Sequence, residues 1–415
     1  MPPTPRARRT RLSPAVIAFR LAIYILVTWG TLQLLASGLF PGAQFITLAL
    51  ALYTTIPIAA FALWRGWPFY PNAAFRLLVV RPFWYTQLLL PLVSAAGLLG
   101  LIVGAPFGES LLVGRILAGT MLGIAVVLLV LGYVGTRRLV VRRVDAEVPG
   151  LPPEFDGLRI VQLSDLHIGP HTNRRFLERV VNAARSLQPD IIAVTGDLID
   201  DRAEDVAVYA RALGSLDAPL GVFMIPGNHD VYAGWEEVEE SLREARIGTV
   251  LVNDVELVHR GGATLALVGT GDPAGGARGT SRAAPDVDAA LARVPERATT
   301  IAFAHNPALW PALASRGVAL TLSGHTHWGQ FALPKLGWSL ASPFLQHAMG
   351  AHADKGSLLY ISPGTGYWGI PFRLGAPPEV TLVTLRRGEA AVARVHPARL
   401  VPPRPVRPVR RGRAA

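Results

Sequence analysis

The sequence predicts an α/β protein, a four-layer α/β/β/α sandwich preceded by a four-helix transmembrane region. Three observations carry this. Long uncharged apolar stretches crowd into the first third of the chain. From residue 158, short β-rich runs alternate with amphipathic segments of helical period. Hairpin-like pairs interrupt that alternation in the middle and at the end, which a purely doubly wound sheet would not show.

The apolar region comes first. No charge occurs for 44 residues between Arg20 and Arg65, for 27 between Arg81 and Glu109, or for 21 between Arg115 and Arg137. A helix needs ~20 apolar residues to cross the hydrocarbon core. The first stretch accommodates two passes around SGLFPGAQ (37–44), so four spans are expected, near 21–39, 45–64, 84–105 and 116–136. A buried soluble bundle is the alternative, but its helices would carry charged faces. The twin arginine in RARRTR (6–11) is compatible with an export signal, a reading that the four-span pattern disfavours.

Twelve arginines flank one side of these spans (Arg6, Arg8, Arg9, Arg11, Arg20; Arg65, Arg76, Arg81; Arg137, Arg138, Arg142, Arg143), against Arg115 alone on the other. That asymmetry predicts both termini and the whole soluble part on the cytoplasmic side of a cell membrane. The net charge of +11 is unevenly placed: +12 in residues 1–143 and +6 in 397–415, leaving −7 for 144–396. The basic balance is therefore a property of membrane flanks and tail. A polynucleotide partner is not expected of an acidic domain in a chain with only two lysines, Lys335 and Lys355. Cysteine is absent, excluding disulfides and thiolate metal sites. Residues 144–157 read as a Pro/Gly-rich linker, 158–396 as the soluble domain, and 397–415 as a disordered basic tail.

Within the soluble domain, LRIVQLSDLH (158–167), DIIAVTGD (190–197), GVFMIPGNHD (221–230), ATTIAFAHNP (298–307) and VALTLSGHTH (318–327) each read as an apolar strand ending in polar residues. Helices are expected between them over 173–187, 203–216 and 235–247. VELVHR and TLALVGTGD, joined by Gly261-Gly262, read as a hairpin, as does EVTLVTLRRGEAAVARVH (379–396). The stretch 273–297 reads as a surface excursion with one short helix.

The strand ends carry the chemistry. They present Asp165-x-His167, Gly196-Asp197, Gly227-Asn228-His229-Asp230, His305 and Gly324-His325-Thr326-His327. Open α/β sheets place their sites at such ends. Alternate side chains of an extended strand share a face, so each D-x-H or H-x-H pair is expected to form a corner. Taken singly these pieces are weak, since a lone D-x-H is more often a turn or a cap. Together they supply more carboxylate, imidazole and amide ligands than one site of three or four ligands requires. Two divalent transition-metal ions, Mn, Fe or Zn, are expected, with a bridging carboxylate between them.

The order D-x-H, GD, GNHD, H, GHxH resembles the calcineurin-like metallophosphoesterase superfamily over about residues 155–396. GHTHWGQFALP and SPGTGYWGIPFRLGAPPEVTLVTL are similar to its bacterial membrane-linked branch, except that Trp328 stands where that branch more often has glycine. The resemblance implies a first metal on Asp165, His167 and His327, a second on Asn228, His305 and His325, and Asp197 bridging both. It also implies that His229 is a catalytic proton donor, oriented and held protonated by Asp230. The reaction implied is direct hydrolysis of a phosphoester by a metal-bridging hydroxide. Membrane anchoring points to the bilayer as partner and to a lipid-linked phosphoester or pyrophosphate as substrate. The alternatives are a soluble nucleotide or cyclic-nucleotide phosphodiesterase and a non-catalytic membrane sensor.

Overall fold

A computed structural model describes residues 14–63, 73–169, 171–278 and 281–402. It divides into two units, Met1–Leu129 and Val130–Ala415. The boundary falls inside a helix rather than at residues 143–144.

The first unit contains apolar helices Pro14–Ala36, Ala43–Leu63, Arg81–Gly104 and the greater part of Ser110–Gly135. Their positions follow the charge-free stretches. Among the described residues, Leu77–Phe107 and Ser110–Gly135 are long and apolar enough to cross a membrane, with mean hydropathy of 2.3 and 2.4. The described parts of the first two helices give shorter apolar segments, Ile23–Ala36 and Ala43–Thr54. Small residues let the last two helices approach closely: a Cβ on Gly100 would meet the backbone of Val113 and Gly114. Arg115 donates to the carbonyl oxygens of Leu35 and Ser37, matching a cation to the negative end of the first helix. Residues 1–13 and 64–72, with five of the twelve flanking arginines, lie outside the described residues.

The second unit is a mixed α/β body with two large sheets. The strands are β1 (Val140–Pro149), β2 (Arg159–Leu163), β3 (Ile191–Thr195), β4 (Val222–Ile225), β5 (Thr249–Val250), β6 (Asp254–Arg260), β7 (Ala263–Gly269), β8 (Thr299–Phe303), β9 (Leu320–Ser323), β10 (Ala332–Leu333), β11 (Trp338–Ser339), β12 (Gly350–Asp354), β13 (Ser357–Ile361), β14 (Glu379–Gly388), β15 (Val392–Val395) and β16 (Arg399–Leu400). One sheet runs β15-β1-β14-β2-β3-β4-β5, with β16 also on β1; the other runs β12-β13-β9-β8-β7-β6. β2, β3 and β4 are parallel neighbours, as are β7, β8 and β9.

Three cores follow from the strand patterns. Strands buried on both faces, such as IIAVT of β3, send alternate residues to different cores. Ile191 and Ala193 join Ile160, Phe223, Leu265, Ile301, Leu320 and Val383 in a core drawn from both sheets. Ile192 and Val194 join Leu177, Val180, Leu213, Val238 and Leu242 from helices Arg174–Ser186, Glu204–Leu213 and Trp235–Glu244. Val268, Ala302 and Ala304 of the smaller sheet pack with Ala290 and Leu313 of helices Val287–Leu291 and Trp310–Ala314. The β6–β7 hairpin forms as expected, its turn at Gly261 and Gly262 having φ of 56° and 86°, the pair of left-handed residues a tight hairpin turn needs.

Four expectations are corrected. Residues 144–149 are not linker: β1 pairs with β14 along ten parallel positions, Val140↔Glu379 to Pro149↔Gly388. In consequence β14 and β15 do not form the expected hairpin, because β1 lies between them and β15 pairs with β1. Part of the expected tail is also ordered, since Arg399 and Leu400 pair with Val141 and Val140; residues 403–415 lie outside the described residues. The excursion at 273–297 carries two short helices, Pro273–Arg278 and Val287–Leu291, rather than one.

Candidate metal centre

Five loops, each at the C-terminal end of a strand, bring the expected residues together. Asp165 and His167 follow β2, Asp197 follows β3, and Asn228, His229 and Asp230 follow β4. His305 follows β8, and His325 and His327 follow β9. Parallel neighbours end side by side, so both sheets deliver their loops to one place.

All seven expected ligands converge. Nε2 of His167 and Nε2 of His327 face each other at 2.9 Å, and Asp165 Oδ1 lies 3.3 Å from His327 Nε2. Asp197 Oδ2 is 3.6 Å from His167 Nε2 and 3.2 Å from His305 Nε2. Asn228 Oδ1 is 3.3 Å from His305 Nε2 and 2.7 Å from His325 Nδ1. Two groups of ligand atoms therefore meet at Asp197: Asp165, His167 and His327 on one side, Asn228, His305 and His325 on the other. Ligand atoms of Asp165, His167, Asp197 and His327 all lie within 4.8 Å of one another. Such converging lone pairs repel unless a proton or cation sits among them. Oxygen and nitrogen donors without thiolate fit Mn, Fe or Zn.

The ligands are not in extended strand. Asp165, His167, Asp197, His325 and His327 have φ of 51°, 45°, 50°, 72° and 49°, in the left-handed region. Non-glycine residues there cost on the order of 1–3 kcal/mol each, and such strain gathers at functional sites. The corners are thus made by loop turns past the strand ends, correcting the strand-face expectation. Glycines provide the room: a Cβ on Gly227 would strike Asp197, and one on Gly324 would strike Ser164 and Asp165.

Neighbouring groups orient the ligands. His305 Nδ1 donates to the Thr195 carbonyl at 2.8 Å, leaving Nε2 facing Asp197 and Asn228. His167 Nδ1 is 3.3 Å from Asp200 Oδ1. Arg373, fully buried, donates to His327 through its main-chain oxygen and Nδ1. Burial opposes charge on both Asp197 and His305, yet each outweighs it for the other: the Asp197 carboxyl sits well below its ordinary range and the His305 ring well above. Burial, and then the His305 charge, push His325 down to about 4.

His229 lies between the halves. Its backbone N–H donates to Asp197 Oδ1 at 2.8 Å and its Nδ1 to the Asp200 carbonyl at 2.8 Å. The expected hydrogen bond from Asp230 to His229 is not formed. Asp230 instead accepts from the backbone N–H groups of Leu198, Ile199 and Gly227, bracing the two loops that carry Asp197 and Asn228. Nor is His229 held protonated, since burial lowers its pKa. Its ring faces Tyr232 and Trp368 edge-on, at 5.5 and 5.9 Å between centroids. Trp328 is half-buried in a left-handed turn with φ 48°.

Sequence reasoning missed Asp200 and Arg373. Asp200 could have been suspected from GDLIDD, where it stands three residues after Asp197. Arg373 was visible only as a charge among the apolar residues of GIPFRLG.

Residues 158–329 match the family model described as calcineurin-like phosphoesterase. The chain is 37% identical over 229 residues to an uncharacterized metallophosphoesterase of Helicobacter pylori, covering 55% of this chain and 60% of that protein. It is 36% identical over 259 residues to a zebrafish (Danio rerio) transmembrane protein with metallophosphoesterase domain, covering 59% of this chain and 57% of that one. It is 31% identical over 240 residues to the uncharacterized metallophosphoesterase YkuE of Bacillus subtilis, covering 57% of this chain and 82% of YkuE. The chain belongs to the calcineurin-like phosphoesterase family. It spans about three fifths of the length of the first two of these relatives.

Proposed function

We propose that this chain is a membrane-anchored, metal-dependent phosphoester hydrolase holding two divalent cations, and that its substrate is a lipid-linked phosphoester or pyrophosphate. The observation that carries this reading is the position of Asp197 between two sets of ligand atoms, 3.6 Å from His167 on one side and 3.2 Å from His305 on the other. Asp165, His167 and His327 would hold one cation, Asn228, His305 and His325 the second, with Asp197 touching both. Bound there, the cations supply a Lewis-acidic clamp on the phosphoryl oxygens and an activated water.

The chain's own residues supply the rest. His229 Nδ1–H is committed to the Asp200 carbonyl, so Nε2 carries the free lone pair; after taking up a proton there, the ring would donate to a phosphoryl oxygen or to the leaving group. Tyr232 and Trp368 give the mouth an apolar rim, which suits an amphiphilic ligand more than a soluble nucleotide. No residue in the cluster is placed as a protein nucleophile, so hydrolysis is direct. Four membrane passes, a cytoplasmic catalytic unit and a four-layer arrangement of the sheets and helices complete the reading. The apolar helices and the three cores support it.

The test is turnover by the detergent-solubilised full chain, with manganese or zinc, on an aryl phosphodiester, a lipid-linked pyrophosphate and a cyclic nucleotide. Metal-dependent hydrolysis with preference for the lipid-linked substrate is expected. No turnover of any of them sinks the enzymatic reading, and preference for the cyclic nucleotide sinks the lipid assignment.

A further inference from the structure

The segment that follows the metal-centre loop of β9 runs through the short hairpin β10–β11, paired Leu333↔Trp338. It exposes an unusual run of large apolar side chains: Leu333, Leu336, Trp338, Leu340, Phe344 and Leu345. Phe344 is 85% exposed and Leu336 75% exposed. Scattered single apolar side chains on a surface are ordinary, whereas six within 13 residues mark a contact surface. The segment is anchored rather than loose. Leu340 N–H donates to Phe331 O at 3.0 Å, and the rings of Phe331 and Trp338 meet edge-on at 6.1 Å.

Its charge pattern selects the partner. No Asp or Glu occurs between Glu296 and Asp354, and the one charge on the hairpin is Lys335, one of only two lysines in the chain. Exposed Leu and Phe beside Trp and a lone cation, with no carboxylate, is the composition of elements that rest in a lipid interface. There the indole sits at headgroup level and the long cation reaches phosphate. Among the described residues, two helices are also long and apolar enough to cross a bilayer, so a lipid surface is available to this chain. The hairpin's base adjoins the catalytic rim: the Gln330 side chain donates to Trp368 O at 3.0 Å and accepts from Trp368 N–H at 2.9 Å, and Trp368 faces His229.

We infer that the hairpin and its flank, residues 331–345, dock into the interfacial region of a lipid bilayer. Leu336 and Phe344 sit in the acyl boundary and Lys335 sits among the phosphates, which holds the rim formed by Trp368 against the membrane. The inference does not depend on the hydrolytic reading.

The chain lacks cysteine, so single labelling sites can be introduced cleanly. The full chain carrying Leu336→Cys, Phe344→Cys or, as control, Val208→Cys on the exposed face of helix Glu204–Leu213 is spin-labelled and reconstituted into phosphatidylethanolamine/phosphatidylglycerol vesicles. At 336 and 344, collision with oxygen should exceed collision with a water-soluble nickel chelate; at 208 the order should reverse. Nickel accessibility at 336 and 344 matching that at 208 overturns the inference. So does shielding of both sites from both relaxants, which would mark a protein interface instead.

Discussion

The guanidinium of Arg373 donates to His327 twice, to its carbonyl oxygen at 3.0 Å and to its Nδ1 at 2.9 Å. Its remaining N–H groups reach Gly366 O and Pro363 O. All five donors are engaged, and among the described residues none of them goes to a carboxylate. Burial lowers its pKa to about 10, so it remains a cation at neutral pH. Lysine cannot reproduce a planar five-donor fork. Arg373→Lys should weaken divalent-metal affinity about 10–100-fold, the usual effect of losing a group that orients a ligand. Titration calorimetry with manganese checks this, alongside a melting curve of the metal-free protein to separate a folding defect.

An arginine has no lone pair, so His327 Nδ1 must accept, which places the ring proton on Nε2 of the metal-free protein. His305, held well above its ordinary pKa, also carries a proton there. A cation binding through His305 Nε2 must displace a proton, whereas the neutral His327 ring need only move its proton to Nδ1 and give up that nitrogen's bond to Arg373. Metal uptake at neutral pH should therefore release protons, and apparent affinity should rise with pH until His305 has titrated. Calorimetry in two buffers of different ionisation enthalpy reads the release directly; identical heats in both would contradict it.

Burial pushes His325 to about 4, against an unfolded value near 6.5. Between those values the unfolded chain binds the proton more readily than the fold does, so stability falls as pH drops from about 6.5 toward 4. The metal-free His325→Asn variant should show a shallower loss of melting temperature across that window. Parallel curves for variant and parent would refute the assignment.

His229 stands outside the two ligand sets and presents Nε2 to their mouth. Its replacement by alanine should leave metal content unchanged and lower kcat by about 10²–10⁴-fold, the range for one placed acid. Loss of bound metal in His229→Ala would instead make it a ligand.

Glu379 is fully buried and accepts from Arg142 Nε at 2.6 Å, Tyr360 OH at 2.6 Å and Thr381 Oγ1 at 2.9 Å, joining β1, β13 and β14. Removing one member of a buried pair typically costs about 3–5 kcal/mol. Glu379→Ala should lower the melting temperature sharply whether or not metal is present, which distinguishes it from the ligand variants.

The metal-centre loops were legible because chemistry demands particular residue types at strand ends, and the apolar runs of β2, β3, β4, β8 and β9 announced those ends. The backbone of the loops was not legible. Left-handed Asp165, His167, Asp197, His325 and His327 contradict local propensity and are imposed by the assembled site. β1 escaped notice for a different reason. Val144, Ala146 and Val148 alternate as a strand should, but Arg142 and Arg143 made the segment read as a membrane flank. Arg142 in fact pairs with Glu379 inside the fold. With 144–157 expected as linker, the sequence leaves β14 and β15 as apparent hairpin partners. Asp200 and Arg373 touch His167 and His327, and of the two only Asp200, three residues after Asp197 in GDLIDD, leaves a spacing trace in the sequence.

The central claim is that Asp197 joins two cation sites. Counting manganese or zinc bound by the purified full chain and by Asp197→Asn tests it most directly. Two ions per chain in the parent, with at most one and no turnover in the variant, is the predicted result. A parent that holds a single ion, or a variant that retains both, would contradict it.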